Sequence, residues 1–270
     1  MTDSRQNPPH APSTALTCGW VIARYTLVEA LRNRLPWLVA ATLAACLVVA
    51  GFLQSVAITE SSEIQSAVLA AILRLSAVFI LVSFVVTSMV RESNDKGLEL
   101  ILALPLPRAS YFLGKFAGFS ITAVALALLF GLPLGLLAPW LGVGAWITSL
   151  ACELLIMTAL SLFCVMSLNQ VTSALAASAG FYVLCRSIGA IQIIAAAPLD
   201  TASGATNDML RLAIDGVALL LPHLDRVTKT DWLLYAPPEA ASLAMAGLDA
   251  LLYVTLLCGA ALFDLYRKNF

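Results

Sequence analysis

Three charged residues stand where charge is costly. Arg74, Glu153 and Arg186 each interrupt a long apolar run in this 270-residue chain. Charges inside such runs pair with one another or mark a path for a substrate or ion, because an isolated charge is poorly tolerated in lipid. At about 1.5 Å per helical residue, Arg74 and Glu153 fall roughly 10 Å from one end of their runs and Arg186 roughly 16 Å from the end of its own. All three reach the same half of the layer, so Glu153 is expected to pair with Arg186 or with Arg74 and to face the bundle. In the plainer reading Arg74 stretches to the outer surface and the other two form a purely structural pair.

Other chemistry is harder to find. There is no HExxH and no GxSxG, and His10 and His223 are too few and too far apart to suggest a metal or haem centre. Gly114-Lys115 has Ala109 where a phosphate-binding loop needs glycine and Phe116 where it needs Ser or Thr, so the chain is not expected to cradle ATP itself. Cys46, Cys152, Cys164, Cys185 and Cys258 lie within apolar runs and Cys18 lies near the N-terminus, without zinc-finger spacing. They are expected to be small packing residues without disulfides. No catalytic residue, metal ligand or cofactor is assigned to this chain.

The elements that position the three charges must be membrane helices. Sixty per cent of the residues are apolar and 11% charged, with a mean hydropathy of +0.91, whereas soluble domains carry about 25% charged residues. Six runs approach or exceed the roughly 20 apolar residues that a bilayer core requires: 38–57, 67–90, 116–136, 146–168, 173–197 and 241–265. Lipid offers no partners to backbone N–H and C=O groups, so each run must be helical. The expected fold class is an all-α integral membrane protein with six transmembrane helices.

Orientation follows from basic residues. Arg5, Arg24, Arg32, Arg34, Arg91, Lys96, Arg108, Lys115, Arg267 and Lys268 fall on one side. The long loop on the other side, 198–240, sets Arg211, Arg226 and Lys229 against six acids, and the positive-inside rule makes both termini cytoplasmic. Residues 1–16 are polar and proline-rich, without a signal-peptide core, and read as a disordered cytoplasmic tail ahead of a single domain over 17–270. Gly114-x-x-x-Gly118 and Gly131-x-x-x-Gly135 have the spacing for close helix contact. Pro133 is expected to kink the third span, and Pro237-Pro238 to set the start of the sixth. In the outer loop, "MLRLAIDGVALLLPHL" carries Arg211 and Asp215 at helical spacing; it lies on the membrane, dips into it, or meets an external partner. His223 there reads as an interfacial polar residue.

One cytoplasmic segment stands apart: "RESNDKGLELILALPLPRASYFLGK", 91–115, gathers charge, glycine and two prolines between the second and third spans. Leu98, Ile101, Leu102 and Pro105 fall on one helical face and Asp95, Lys96 and Glu99 on another, as in a short helix at the membrane surface that Pro105 and Pro107 stop. An acid, a glycine opening a leucine-rich helix, a proline, a basic residue and a closing Gly-Lys resemble the signature of ABC type-2 exporter permeases. The matching positions are Glu92, Gly97, Leu98, Leu100, Pro105, Leu106, Arg108, Gly114 and Lys115. Asp95-Lys96 before the glycine, and Leu98 where a Thr-Leu step is commoner, depart from it. "WVIARYTLVEALRNRLPWL" is similar to the amphipathic interfacial helix, here 17–35, that introduces the first span in that family. The outer loop loosely resembles that of the nitrous-oxide-reductase maturation permease subgroup.

The resemblance implies a permease subunit that exports a substrate by ATP hydrolysis in separate cytoplasmic ABC ATPase subunits, which bind the ATP and Mg. A second permease copy or a paralogue would complete the assembly in a cell inner membrane. Glu92, Gly97, Leu98, Glu99, Leu100, Leu102, Pro105, Arg108 and Lys115 would form or flank the coupling helix that docks on the ATPase, and Arg24, Glu29, Arg32 and Arg34 would supply a second contact. No nucleic-acid partner is expected. Two other readings remain: a secondary transporter, which should show an internal repeat or matching broken helices, and a membrane assembly scaffold without an ATPase. The sequence does not name the cargo.

Overall fold

The computed structural model describes residues 12–56, 61–95, 108–196, 204–222, 224 and 240–267. Its helices are α1 (Pro12–Arg32), α2 (Leu35–Val56), α3 (Ser61–Asn94), α4 (Arg108–Leu134), α5 (Trp140–Leu168), α6 (Val171–Ala196), α7 (Gly204–Leu220) and α8 (Ala240–Arg267). Six of them, α2 to α6 and α8, are long and apolar enough to cross a membrane. The chain is a multi-pass, all-α membrane protein.

Several helices run past their apolar stretches. α3 continues through Arg91 and Glu92 to Asn94, and α4 begins at Arg108 rather than near 116, passing through Lys115. A helix satisfies its own backbone, so it can extend beyond the lipid-facing run wherever its charged side chains find partners. The tail expected to be disordered through residue 16 is instead helical from Pro12. Proline suits a first helical position because it lacks an N–H that would go unpaired there. Residues 1–11 lie outside the described part.

Burial falls off from the middle outwards. In the most apolar stretch of α5, 78% of residues are buried, with 61% in α3 and 50% in α4, against 28% in α6, 22% in α8 and 17% in α2. α5 packs on α3, α4, α6 and α8. Leu73, Leu81, Phe119, Phe130, Leu150 and Leu154 fill this centre, where Phe84 and Phe119 meet edge to face at 5.6 Å. Trp37, Phe52, Phe79, Leu251 and Phe263 point outwards, as a surface solvated by lipid requires.

Both small-residue pairs seat a neighbouring helix. A Cβ on Gly114 would lie 2.7 Å from the Gly19 carbonyl oxygen, and one on Gly118 would lie 2.7 Å from Thr26 Cβ and 2.9 Å from the Ala23 carbonyl oxygen. The pairings advance together along both helices, so α1 lies against the first half of α4 and runs in the same direction. Gly131 and Gly135 do the same for α5, whose Ile147 and Trp140 fill the space a side chain would need. Pro133 lies in the last turn of α4, which closes in turn-like bonds from Leu136 to Pro133 and from Leu137 to Leu134. Asn169, at φ 54°, caps α5 by donating its N–H to the Val165 carbonyl, and α6 starts two residues later. Asn tolerates that left-handed conformation better than most residues.

The described part of the 198–240 stretch turns back against the bundle. α7 returns against α6, where Gln192 Nε2 donates to Asp215 Oδ1 at 3.1 Å. Beyond it Leu221 and Leu224 are buried, and Tyr253 on α8 donates its hydroxyl to the Leu221 carbonyl at 2.9 Å. Pro222 and Leu224 line a small cavity with Cys152, Glu153 and Asp249, so this stretch reaches the level of the α5 carboxylate. Non-helical backbone at such depth is tolerated when protein covers it. Residues 198–203, His223 and 225–239, including Pro237-Pro238, lie outside the described residues.

Candidate functional site

Two charged clusters organise the molecule. The deeper one joins α3, α5 and α6. Trp146, Ser149 and Glu153 recur at three- and four-residue steps along one face of α5, and Arg74 projects from α3 onto all three. Arg74 Nη1 donates to Glu153 Oε2 at 2.7 Å, Nη2 donates to Ser149 Oγ at 2.8 Å, and the guanidinium sits 5.2 Å from the centre of the Trp146 ring. The Arg74 and Glu153 side chains are 4% and 0% exposed. Arg74 therefore turns into the bundle, which corrects the reading in which it reaches the outer surface. The desolvation that a buried guanidinium suffers is offset here by an ion pair, a hydroxyl and an aromatic face together.

Arg186 takes part at longer range. Its Nη1 stands 3.9 Å from Glu153 Oε1, and its side chain is 37% exposed. Neither of those two atoms, both buried, has a hydrogen-bond partner among the described residues. The expected pairing of Glu153 with Arg186 or Arg74 thus resolves into a direct bond to Arg74 and a looser contact with Arg186.

The second cluster lies at the end of the bundle where α3 stops and α4 starts. Glu92 Oε1 accepts from the Tyr111 hydroxyl at 2.9 Å, and Glu92 Oε2 pairs with Lys115 Nζ at 2.5 Å. Glu29 Oε1 on α1 accepts from Arg91 Nη2 at 2.7 Å and from Ser88 Oγ at 2.8 Å. Lys115 links the two halves, since its Nζ is also 3.9 Å from Glu29 Oε2, and it lies 5.9 Å from the centre of the Phe119 ring. α1, α3 and α4 are thereby fastened at one point. Beside it Tyr25, Val28, Glu29, Arg32, Asn33 and Arg91 line an open polar depression of about 380 Å³.

The residues expected to couple to an ATPase divide clearly. Glu92, Arg108 and Lys115 are described, and each is bonded within the chain: Arg108 Nη1 donates to the Leu265 carbonyl at 3.3 Å, near the C-terminal end of α8. Gly97, Leu98, Glu99, Leu100, Leu102 and Pro105 lie outside the described residues. Of the expected N-terminal contacts, Arg24, Arg32 and Arg34 are exposed, whereas Glu29 is half-buried in the cluster. Sequence reasoning missed Tyr111, Ser88, Ser149 and Trp146 as partners. Ser149 and Trp146 carried a usable signal, lying four and seven residues before Glu153 on the same helical face; Tyr111 and Ser88 carried none.

No family model matches the sequence, and no curated protein matches it significantly.

Proposed function

We propose that the chain is the permease subunit of an ATP-driven exporter, working with separate cytoplasmic ATPase subunits and with a second permease copy or a paralogue in a cell inner membrane. The basic end of the bundle, where the N-terminal helix, the end of α3, the start of α4 and the end of α8 gather, is the cytoplasmic face. The observation that carries this reading is the cluster of Glu92, Lys115, Tyr111, Glu29 and Arg91. It closes the base of the 91–115 segment, whose sequence resembles a coupling helix, and binds that base to α1, α3 and α4 at once. A push on the segment reaches three helices through bonded contacts, and packed helices answer such a push by moving between discrete arrangements. Arg24, Arg32 and Arg34 are exposed, with Arg32 lining the polar depression, and present a basic surface to the same partner.

The test is purification in mild detergent from cells that also express the neighbouring genes, measuring which proteins co-elute and whether they hydrolyse ATP. The expected result is a co-eluting ATPase that is lost from a Leu98→Asp, Leu102→Asp variant and weakened by Arg24→Glu, Arg32→Glu. Glu92 is left intact in this design, because its removal would loosen the bundle itself. A chain that elutes without an ATPase from several detergents overturns the proposal.

A further inference from the structure

At the contact of α3, α5 and α6, two guanidiniums, Arg74 and Arg186, face the single carboxylate of Glu153. Glu153 bonds directly to Arg74, so the unbalanced positive charge falls on Arg186. Asp249 is exposed and approaches Glu153 from the opposite side, in the small cavity closed by Pro222 and Leu224, because α8 packs chiefly on α5. On the side towards α3 and α6 stands the buried Tyr182, and α3 and α6 carry no carboxylate within two turns of Arg74 or Arg186.

An apolar groove of about 360 Å³ opens on that side between α3 and α6, with Met157 of α5 at its floor. None of the three charges lines it, but three of its lining residues stand one turn from them. Val78 lies one turn beyond Arg74, Met157 one turn beyond Glu153, and Tyr182 one turn before Arg186. Helical side chains tilt towards the N-terminus of their helix, so Arg186 leans towards Tyr182 and the groove, while Arg74 leans away towards Trp146 and Ser149. From Val183 to Leu175 the groove wall extends about 12 Å along α6.

The geometry points to a binding site for a long-chain carboxylate taken from the bilayer, its acid group on Arg186 and its chain along the groove. A guanidinium offers five N–H donors in a planar fork that matches a carboxylate; Arg186 Nη1 is buried beside Glu153 at 3.9 Å, but the side chain is 37% exposed, so the rest of the fork is what an acid group would meet. Charge selects the acid, and the groove selects the chain. In the orientation proposed above, the acid group points outwards and the chain towards the bilayer centre, as for an amphiphile in the outer leaflet. The inference names a cargo class for the proposed exporter. Binding is measured without an ATPase, however, so the two readings fail separately.

The test is equilibrium binding of radiolabelled oleate, and in parallel oleyl alcohol, to the purified full chain in nanodiscs of zwitterionic lipid, with empty nanodiscs subtracted. Oleate is expected to saturate at one molecule per chain and to bind at least about tenfold more tightly than the alcohol, the scale of one charge-assisted hydrogen bond. Arg186→Gln should remove that preference, and Arg186→Lys, which keeps the charge without the fork, should retain part of it. Ala179→Phe fills the groove from an exposed position and should weaken both ligands while leaving the core intact. Equal binding of acid and alcohol overturns the inference, as does an acid preference that survives Arg186→Gln. Should Arg186→Gln fail to fold, Ala179→Phe decides, and unchanged oleate binding overturns it. A change of oligomeric state on Ala179→Phe without oleate, read by light scattering, assigns the groove to a second copy and equally overturns it.

Discussion

The two charged clusters each join three helices, yet they are satisfied to different degrees. In the one at the end of the bundle, both oxygens of Glu92 are engaged, by Tyr111 and Lys115, and Glu29 holds Arg91 and Ser88 on a single oxygen. In the deeper one, Glu153 Oε1 and Arg186 Nη1 are buried at 3.9 Å from each other without a hydrogen bond among the described residues. A fully connected network holds its helices in place, whereas a partly satisfied one deep in the bundle is costly and is tolerated where it serves a purpose. The comparison separates a fastening from a site.

The contrast can be broken most forcefully at Glu153. Glu153→Gln leaves Arg74 and Arg186 without the carboxylate they share, and a loss of about 3–5 kcal/mol is expected, as for other buried pairs that lose one partner. Thermal unfolding in detergent measures it, and Arg74→Met combined with Glu153→Leu should recover most of the loss. A Glu153→Gln protein as stable as the parent would place the deep cluster among the solvated ones. Next in size is the helix seat. Gly118→Leu forces a side chain against Thr26 and the Ala23 carbonyl, with an expected cost of about 1–3 kcal/mol from overpacking. Gly144→Ala, which meets nothing within 4 Å, should cost nothing in the same assay.

Lys115→Met strips Glu92 of its ion-pair partner while Tyr111 still donates to it. A loss of about 1–2 kcal/mol is expected, in the range for hydrogen bonds to charged groups, and it should coincide with faster proteolysis between α3 and α4. Smallest is Arg91→Ala. The Arg91 side chain is 58% exposed, and exposed pairs contribute below about 1 kcal/mol. An effect of Arg91→Ala larger than that of Lys115→Met would overturn the assignment of Lys115 as the link between the two halves.

The six spans were legible because lipid imposes a single requirement, length without charge, and the sequence meets it six times. Their ends were not. Hydropathy stops the third span at Lys115, but the helix begins at Arg108 because Lys115 is neutralised by Glu92 from another helix, which no local window contains. The deep pair was legible in type but not in partner. Depth along each run brought Arg74, Glu153 and Arg186 to a common level, while the choice between the two arginines depended on helix rotation, which the sequence does not state. The inward turn at Leu221 and Pro222 stood as one of three readings, since an amphipathic stretch serves a membrane surface, a buried seat or a partner equally well. Glu92 and Lys115 were singled out through a family pattern. Their bond to each other, across the segment they bracket, is a property of the fold.

The seat of α1 on Gly114 and Gly118 also sets an order of events during synthesis. α1 leaves the ribosome well before α4, for Gly118 is made about 85 residues after α1 ends. At about 5–20 residues per second, that delay is roughly 4–17 s. Throughout it Ala23, Thr26 and Glu29 have no α4 to pack against, so the N-terminal helix must wait at the membrane surface or in the care of a chaperone until the third span is in place. A helix translated ahead of α4 is thus seated only after α4 is made, and a slowly inserted α4 would betray itself as an accessible α1 long before the finished protein showed any fault.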